Sequence, residues 1–153
     1  MQEFWETAEK ILAYAVNTEE RIRRIDKKYT QTVYACGPSG YVGCSQECRG
    51  AGERRRSGCM ETIVPYLESL LERKRALILS VMPVVEAFES LRGTRRAHVL
   101  YYCCGKQYSS QEYGKKFGYS RRHARRLYLR AMTDLYKRIL LFQGEDLIQR
   151  FEQ

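Results

Sequence analysis

Two long runs of apolar residues at alternating spacings of four and three most strongly constrain the fold of this chain. The first run covers residues 4–29 and the second residues 60–91. This spacing places the apolar side chains on one face of an α-helix, whereas a strand would require alternation. The first stripe comprises Phe4, Ala8, Ile11, Ala15, Thr18, Ile22, Ile25 and Tyr29, and the second Ile63, Leu67, Leu70, Lys74, Leu77, Val81, Val84, Phe88 and Leu91. Each run predicts a long helix with one polar position in its stripe.

The segment between these runs, residues 30–58, contains six of the chain's 11 glycines and shows no helical or strand period. It therefore predicts a long loop. Two heptad helices joined by such a loop fold back most simply as an antiparallel, coiled-coil-like hairpin. Pro83 predicts a kink or a split of the second helix. Because Val64, Leu71 and Ile78 widen the apolar face of that helix, formation of a homodimer stays open.

The cysteines do not favour a metal site. Cys36, Cys44, Cys48 and Cys59 lack the Cys-x-x-Cys pair that is typical of zinc knuckles. Cys103 and Cys104 are adjacent, and we expect them to be small packing residues near a turn. No cofactor and no metal are therefore expected.

Beyond residue 92 the signals change to short, capped helices. Gly93 breaks the second helix, and Thr94 can cap a supporting helix that runs to about Cys103. Ser109 with Glu112 forms a capping box, which predicts the start of another short helix. Gly118 ends that helix as a left-handed residue.

A second, longer helix is predicted to start after the cap Ser120 and to continue until Gly144. Its apolar residues recur at spacings of three and four and define one buried face: Ala124, Leu127, Ala131 and Leu135. Its first two turns carry four arginines, Arg121, Arg122, Arg125 and Arg126. Cations at a helix N-terminus oppose the helix dipole, and a polyanion lying across that end would remove the cost. This pattern is typical of the recognition helix of a helix-turn-helix motif.

The distribution of charge supports the same interpretation. The chain has a formal net charge of +9. Residues 1–93 hold 14 Lys and Arg against 13 Asp and Glu, whereas residues 94–138 hold 12 against 2. The excess therefore lies in the capped helices, which favours a nucleic-acid partner. The chain shows neither a membrane-length apolar stretch nor a secretory signal, so we expect no membrane partner and a cytoplasmic location.

The run from Tyr108 to Leu135 resembles the promoter-reading fourth region of primary bacterial sigma factors. The shared features are the capped 109–117 helix, Gly114 at the helix crossing, the apolar Tyr119 and the sequence Ser-Arg-Arg-His-Ala-Arg-Arg-Leu from residue 120. The longer frame, a helical hairpin followed by this module, is similar to small phage and prophage regulators of the ArpU and RinA type. The resemblance implies double-stranded DNA as partner and leaves open a contact with bacterial RNA polymerase.

By this resemblance, Arg121, Arg122 and Arg126 occupy the base-facing positions. Arginine suits guanine in the major groove. The residue that matches Arg122 is usually acidic in sigma factors, so the preferred sequence must differ from the usual upstream promoter element. A second set of residues is expected to contact phosphates, and some of them could instead reach a base edge: Ser120, His123, Arg125, Lys115, Lys116 and Arg130.

These signals predict an all-α chain with a hairpin at residues 1–92, a helix-turn-helix DNA-binding domain at 93–144 and a tail at 145–153. The predicted function is a sequence-specific DNA-binding transcription regulator of phage or prophage origin. The alternative is a DNA-packaging protein that resembles a small terminase subunit, whose coiled coil would build an oligomer. An enzyme is not expected, because His98 and His123 are the only histidines and neither lies in a catalytic pattern. We expect the tyrosines of the C-terminal half to pack in the core and at its rim.

Overall fold

The computed structural model describes the backbone of residues 4–36 and 54–152. These residues form helices and connecting turns without any strand, which confirms the all-α class. The helices are α1 (Phe4–Cys36), α2 (Arg54–Ser90), α3 (Arg95–Leu100), a π-helical turn (Tyr101–Gly105), α4 (Ser110–Phe117), α5 (Arg121–Leu141) and α6 (Glu145–Glu152). None of the helices in this described part is long and apolar enough to cross a bilayer.

Both long helices extend further than their apolar stripes. α1 continues to Cys36 instead of ending near Tyr29, and α2 begins at Arg54 instead of residue 60. The predicted loop at 30–58 is thus too long at both ends, and its remaining part, residues 37–53, lies outside the described residues. An established helix gains one backbone hydrogen bond per added residue and needs no apolar face to continue. The absence of glycine and proline from residues 30–36 permits that extension.

Proline does not interrupt α2. The helix continues without a break through Pro65 and Pro83, so a split at Pro83, one of the two expected outcomes, does not occur. A proline inside a helix removes one backbone hydrogen bond, and its ring clashes with the carbonyl group of the preceding turn. Val81, Val84 and Ala87 are buried around Pro83, and their packing holds the helix together on both sides of it.

The chain divides into two compact units. Unit 1 comprises residues 1–17 and 80–153, and unit 2 comprises residues 18–79. The first residues of α1 belong with the C-terminal helices because Ala8 and Ile11 enter the same buried cluster as Leu100 and Leu135. This division differs from the predicted domain ranges, which place residues 1–92 together.

The C-terminal segment of unit 1 is part of its core. Within the predicted tail at 145–153, α6 is a helix whose Leu147 and Ile148 are buried. α5 ends at Leu141 rather than continuing until Gly144 as predicted, and Gln143 beyond it is left-handed (φ 59°). Gly144 is required for another reason, because a Cβ there would collide with the side chain and carbonyl oxygen of Ile139.

Unit 2 contains residues 18–36 of α1 and 54–79 of α2. The two polar positions of the predicted stripes are both covered. Thr18 is fully buried, and its hydroxyl has no hydrogen-bond partner among the described residues. Lys74 is half-buried and its ammonium lies 2.5 Å from the Asp26 carboxylate. This ion pair joins the α1 and α2 segments within the unit.

Candidate nucleic-acid interface

A short supporting helix precedes the basic segment. Thr94 caps α3, and its hydroxyl accepts a hydrogen bond from the Ala97 backbone N–H at 3.3 Å. Val99 and Leu100 at the end of α3 are buried in the unit 1 core. The predicted cap at Thr94 is therefore confirmed, and the helix continues as a π-helical turn up to Gly105, two residues beyond the expected end.

The start of α4 is held by the predicted capping box. The Ser109 hydroxyl accepts from the Glu112 backbone N–H at 3.2 Å, and the Glu112 carboxylate accepts from the Ser109 backbone N–H at 2.7 Å. A second hydrogen bond, from the Ser109 hydroxyl, reaches the same carboxylate at 2.8 Å. These hydrogen bonds from the backbone and the hydroxyl of Ser109 lower the pKa of Glu112.

The turn between α4 and α5 is short and tight. Gly118 adopts the predicted left-handed conformation (φ 73°) and ends α4. A Cβ at the buried Gly114 would lie 2.9 Å from the Tyr119 carbonyl oxygen and 3.0 Å from the Ala124 Cβ. The Tyr119 backbone N–H donates to the Gly114 carbonyl at 2.8 Å. Only glycine therefore lets the two helices approach this closely, as the sequence predicted for Gly114.

The first turns of α5 expose their basic residues. Ser120 caps the helix by accepting from the His123 backbone N–H at 3.3 Å, and Ala124 is completely buried. At roughly 100° per residue, Arg122 and Arg126 both lie about 160° from Ala124, on the face turned farthest from the core. The same periodicity places Arg125 on a flank. All nine predicted contact residues are exposed: Lys115, Lys116, Ser120, Arg121, Arg122, His123, Arg125, Arg126 and Arg130.

Two arginines at the start of α5, Arg122 and Arg126, form no ion pair with another described residue. Arg96, by contrast, pairs with Asp134 of α5 through an Nε–Oδ2 distance of 2.5 Å. The positive charge at the start of α5 is therefore available to an external anion, and it lies where the helix dipole adds to the positive potential.

The two lysines of α4 are not equivalent. Lys116 donates to the Tyr108 hydroxyl at 3.2 Å, and its ammonium lies 5.1 Å from the centroids of both the Tyr102 and the Tyr108 ring. Lys115 is exposed in the same last turn of α4 and has no such contacts among the described residues. The sequence predicts the same phosphate-contacting role for both lysines, and no sequence signal distinguishes them.

An aromatic cluster lies behind these lysines. The His98 ring lies 4.8–5.8 Å from the rings of Tyr102, Tyr113 and Phe117, and its Nδ1 is 2.9 Å from the Tyr113 hydroxyl. Tyr113 is only 1% exposed, whereas Tyr101 exposes 54% of its surface. Apart from Tyr101, the tyrosines of residues 101–136 are buried or half-buried, which supports packing in the core and at its rim.

A second contact that the sequence did not predict ties α1 to α5 inside unit 1. The Tyr128 hydroxyl donates to the Glu9 carboxylate at 2.9 Å. Burial, followed by the hydrogen bond to Glu9, raises the pKa of Tyr128, so the phenol stays protonated and keeps donating. Residues 9 and 128 are far apart in sequence, and neither lies in a motif that would have indicated the pair.

The thiols of unit 1 act as packing groups. Burial raises the pKa of Cys103 to about 11 and, with a smaller contribution from the neighbouring Cys103 and Glu9, that of Cys104 to about 12. Both side chains pack against the core cluster, as expected. Cys44 and Cys48 lie outside the described residues, and the side chains of Cys36 and Cys59 are not described, so the expectation for those thiols stays a prediction.

The exposed basic side chains at the start of α5 and the end of α4 suit an anionic partner. The part of the chain that the structure describes contains no group of three or more histidine, cysteine or acidic side chains suited to a metal ion. Comparison with known proteins adds no family: no family model, no curated protein and no solved structure matches the chain.

Proposed function

We propose that this chain is a sequence-specific, double-stranded DNA-binding transcription regulator that inserts the start of α5 into the major groove. The observation that carries the proposal is the exposure of Arg122 and Arg126, without ion pairs in the described residues, on the α5 face opposite the buried Ala124. A groove-reading helix requires such a face, because its inner side must stay packed while its outer side meets base edges.

The position of each arginine suggests its role. Guanidinium groups can donate two parallel hydrogen bonds to O6 and N7 of guanine, which suits Arg122 and Arg126 on the outermost face. Arg121 opens the helix and is proposed as the third base-reading residue. Arg125 lies on the flank, where the groove wall places phosphates rather than bases.

Phosphate contacts would extend from this centre along both helices. Ser120, His123 and Arg130 accompany Arg125 on α5, and each is exposed. Lys115 at the end of α4 is free to follow a phosphate. Lys116 is already held by Tyr102 and Tyr108, so its charge is proposed to act from a fixed position.

The finer architecture belongs to the same proposal. The capped α4, the turn at Gly118 and the crossing at Gly114 support a sigma region-four-like helix-turn-helix. The Asp26–Lys74 ion pair supports an antiparallel hairpin formed by α1 and α2. By resemblance, the chain would serve in a bacterial host, encoded by a phage or prophage and acting at the nucleoid, with RNA polymerase as a candidate second partner.

The test is selection of binding sites from a randomised duplex library by the full-length chain and its single alanine variants. Arg121→Ala, Arg122→Ala and Arg126→Ala should each cost about 1–3 kcal/mol on the preferred site and relax the preference at one base pair. Arg125→Ala should weaken binding to all sequences alike and lower the slope of log affinity against log salt by about one unit. The control is Lys137→Ala, an exposed cation on the C-terminal half of the same helix, which should change neither.

Two outcomes would contradict the assignment. If Arg125→Ala alters the selected sequence while Arg122→Ala and Arg126→Ala only reduce affinity, α5 enters the groove in another rotation. If the native chain selects no sequence and shows no salt-dependent binding to duplex DNA, the proposed function is wrong.

A further inference from the structure

The described residues leave one apolar stripe of unit 2 exposed. Val64, Leu71 and Ile78 recur on α2 at intervals of seven residues and remain 44%, 47% and 37% exposed, respectively. Leu70, beside Leu71, is only 2% exposed, so the stripe runs along the edge of the face that packs inside the unit. Three large aliphatic side chains in one row are an unusual exposure for a helix that has a buried face elsewhere.

Two opposite charges are interleaved with the stripe. Glu68 follows Val64 by four residues and Arg75 follows Leu71 by four, so both lie on the same face as the aliphatic residues. Both are exposed, and neither forms an ion pair with another described residue. Seven residues separate them by roughly 10.5 Å along the axis, which is too far for the two charges to neutralise each other within one helix.

The order of these residues suits a two-fold axis at Leu71. In an antiparallel pair of α2 helices with Leu71 opposite Leu71, residues 64 and 78 face each other because their numbers are equidistant from 71. Along the helix axis, Glu68 then lies at the height of residue 74 of the second copy. Arg75 of that copy is one residue away, a rise of about 1.5 Å. Each dimer would form this Glu68–Arg75 contact twice, as isologous symmetry requires.

A parallel arrangement lacks this complementarity. In register, it keeps Glu68 of one copy seven residues, about 10.5 Å along the axis, from Arg75 of the other, so the opposite charges do not meet. We propose that the stripe of Val64, Leu71 and Ile78 is an antiparallel docking surface for a second copy of this chain, with Glu68 and Arg75 selecting orientation and register. The regulator is then a two-fold symmetric homodimer.

The experiment is sedimentation equilibrium of the full-length chain without DNA. The wild type should form a species of twice the 18.0 kDa chain mass. Leu71→Asp should raise the dimer dissociation constant at least about a hundredfold, because two carboxylates would meet at the axis. Leu141→Asp, at an aliphatic residue that is 73% exposed on α5, is the matched control and should leave the constant unchanged.

Charge exchange tests the orientation. Glu68→Arg and Arg75→Glu should each weaken the dimer about tenfold or more, since each creates like-charge contacts twice. The double variant Glu68→Arg/Arg75→Glu should recover most of the wild-type affinity, because it restores the pairs with reversed sign. These positions are exposed, so helicity by circular dichroism should be unchanged in every variant. A wild-type monomer at all concentrations, a larger ring, or a double variant weaker than both single variants would overturn the proposal.

Discussion

Unit 1 and unit 2 are both helical, but they exclude water to different degrees. Unit 1 buries one continuous cluster that includes residues from α1, α2, α3, α4, α5 and α6. Among its described residues, unit 2 buries only Thr18, Ile25 and Leu70, and the hydroxyl of Thr18 has no hydrogen-bond partner there. Helices that cross at several angles can enclose a core, whereas two helices side by side leave most positions half-covered. The arginines of α5 are therefore presented by the better-packed unit.

The largest expected difference between the units concerns deletion of core side chains. Leu135→Ala removes a side chain that is 0% exposed in unit 1 and should cost about 2–5 kcal/mol of the free energy of unfolding. Leu67→Ala at a half-covered position of unit 2 should cost less than half as much. Chemical denaturation is followed by Trp5 fluorescence, which reports on unit 1 because Trp5 packs against its core cluster, and by far-UV circular dichroism, which reports on the helices of both units. Equal losses in the free energy of unfolding for Leu135→Ala and Leu67→Ala would contradict the difference in packing between the two units.

The two glycines of the α4–α5 connection should respond differently to substitution. Gly114→Ala introduces a Cβ against the Tyr119 carbonyl and Ala124, and we expect it to destabilise unit 1 by about 1–3 kcal/mol despite alanine's higher helix propensity. Gly118→Ala meets no atom within 4 Å and should cost about 1 kcal/mol for its left-handed backbone alone.

Asparagine separates these two causes. It tolerates the left-handed region, so Gly118→Asn should recover part of the loss seen with Gly118→Ala. Gly114→Asn should be worse than Gly114→Ala, because the larger side chain adds to the collision. Melting temperatures of the four variants distinguish the two causes. A Gly114→Asn variant that is more stable than Gly114→Ala would contradict a steric origin at that position.

Thr18→Val should stabilise unit 2. Valine is nearly isosteric with threonine but lacks the buried hydroxyl, which has no hydrogen-bond partner among the described residues. Because burying an unpaired hydroxyl costs free energy, we expect the free energy of unfolding to rise by about 1 kcal/mol. Thr32→Val is the control. The hydroxyl of Thr32 donates to the Lys28 carbonyl near the surface, and its loss should change stability little. Hydrogen exchange of the α2 amides in residues 61–79 provides the readout, and faster exchange in Thr18→Val would show the hydroxyl to be satisfied.

The smallest expected effect is a pH dependence in α4. The pKa of Glu112 is lowered in the folded chain by hydrogen bonds from Ser109, so its contribution to stability is present above the unfolded pKa. That contribution should disappear as the pH falls through the lower, folded pKa. Melting temperatures of wild type and Glu112→Gln, measured from neutral to acid pH, should therefore differ most at neutral pH and converge in acid. A difference in melting temperature that stays constant with pH would show that the carboxylate charge of Glu112 does not contribute to stability.

Local features of the connection around α4 were predictable from the sequence. The caps at Thr94, Ser109 and Ser120 and the left-handed Gly118 follow from hydrogen bonds and backbone angles that involve at most four consecutive residues. The exposure of the arginines followed in the same way, because the buried positions of α5 recur with the helical period. Their roles toward DNA stay predictions.

The sequence by itself determined where the capped helices begin and which faces they bury, because those properties depend on neighbours along the chain. Tertiary structure decided that α1 begins inside unit 1, that α6 completes the same core, and that Lys116 is held between two tyrosines. It also decided why residue 144 must be glycine, through a collision with Ile139 rather than through a backbone angle. Each of these depends on how separate helices meet, and a periodic pattern within one helix does not specify its partner.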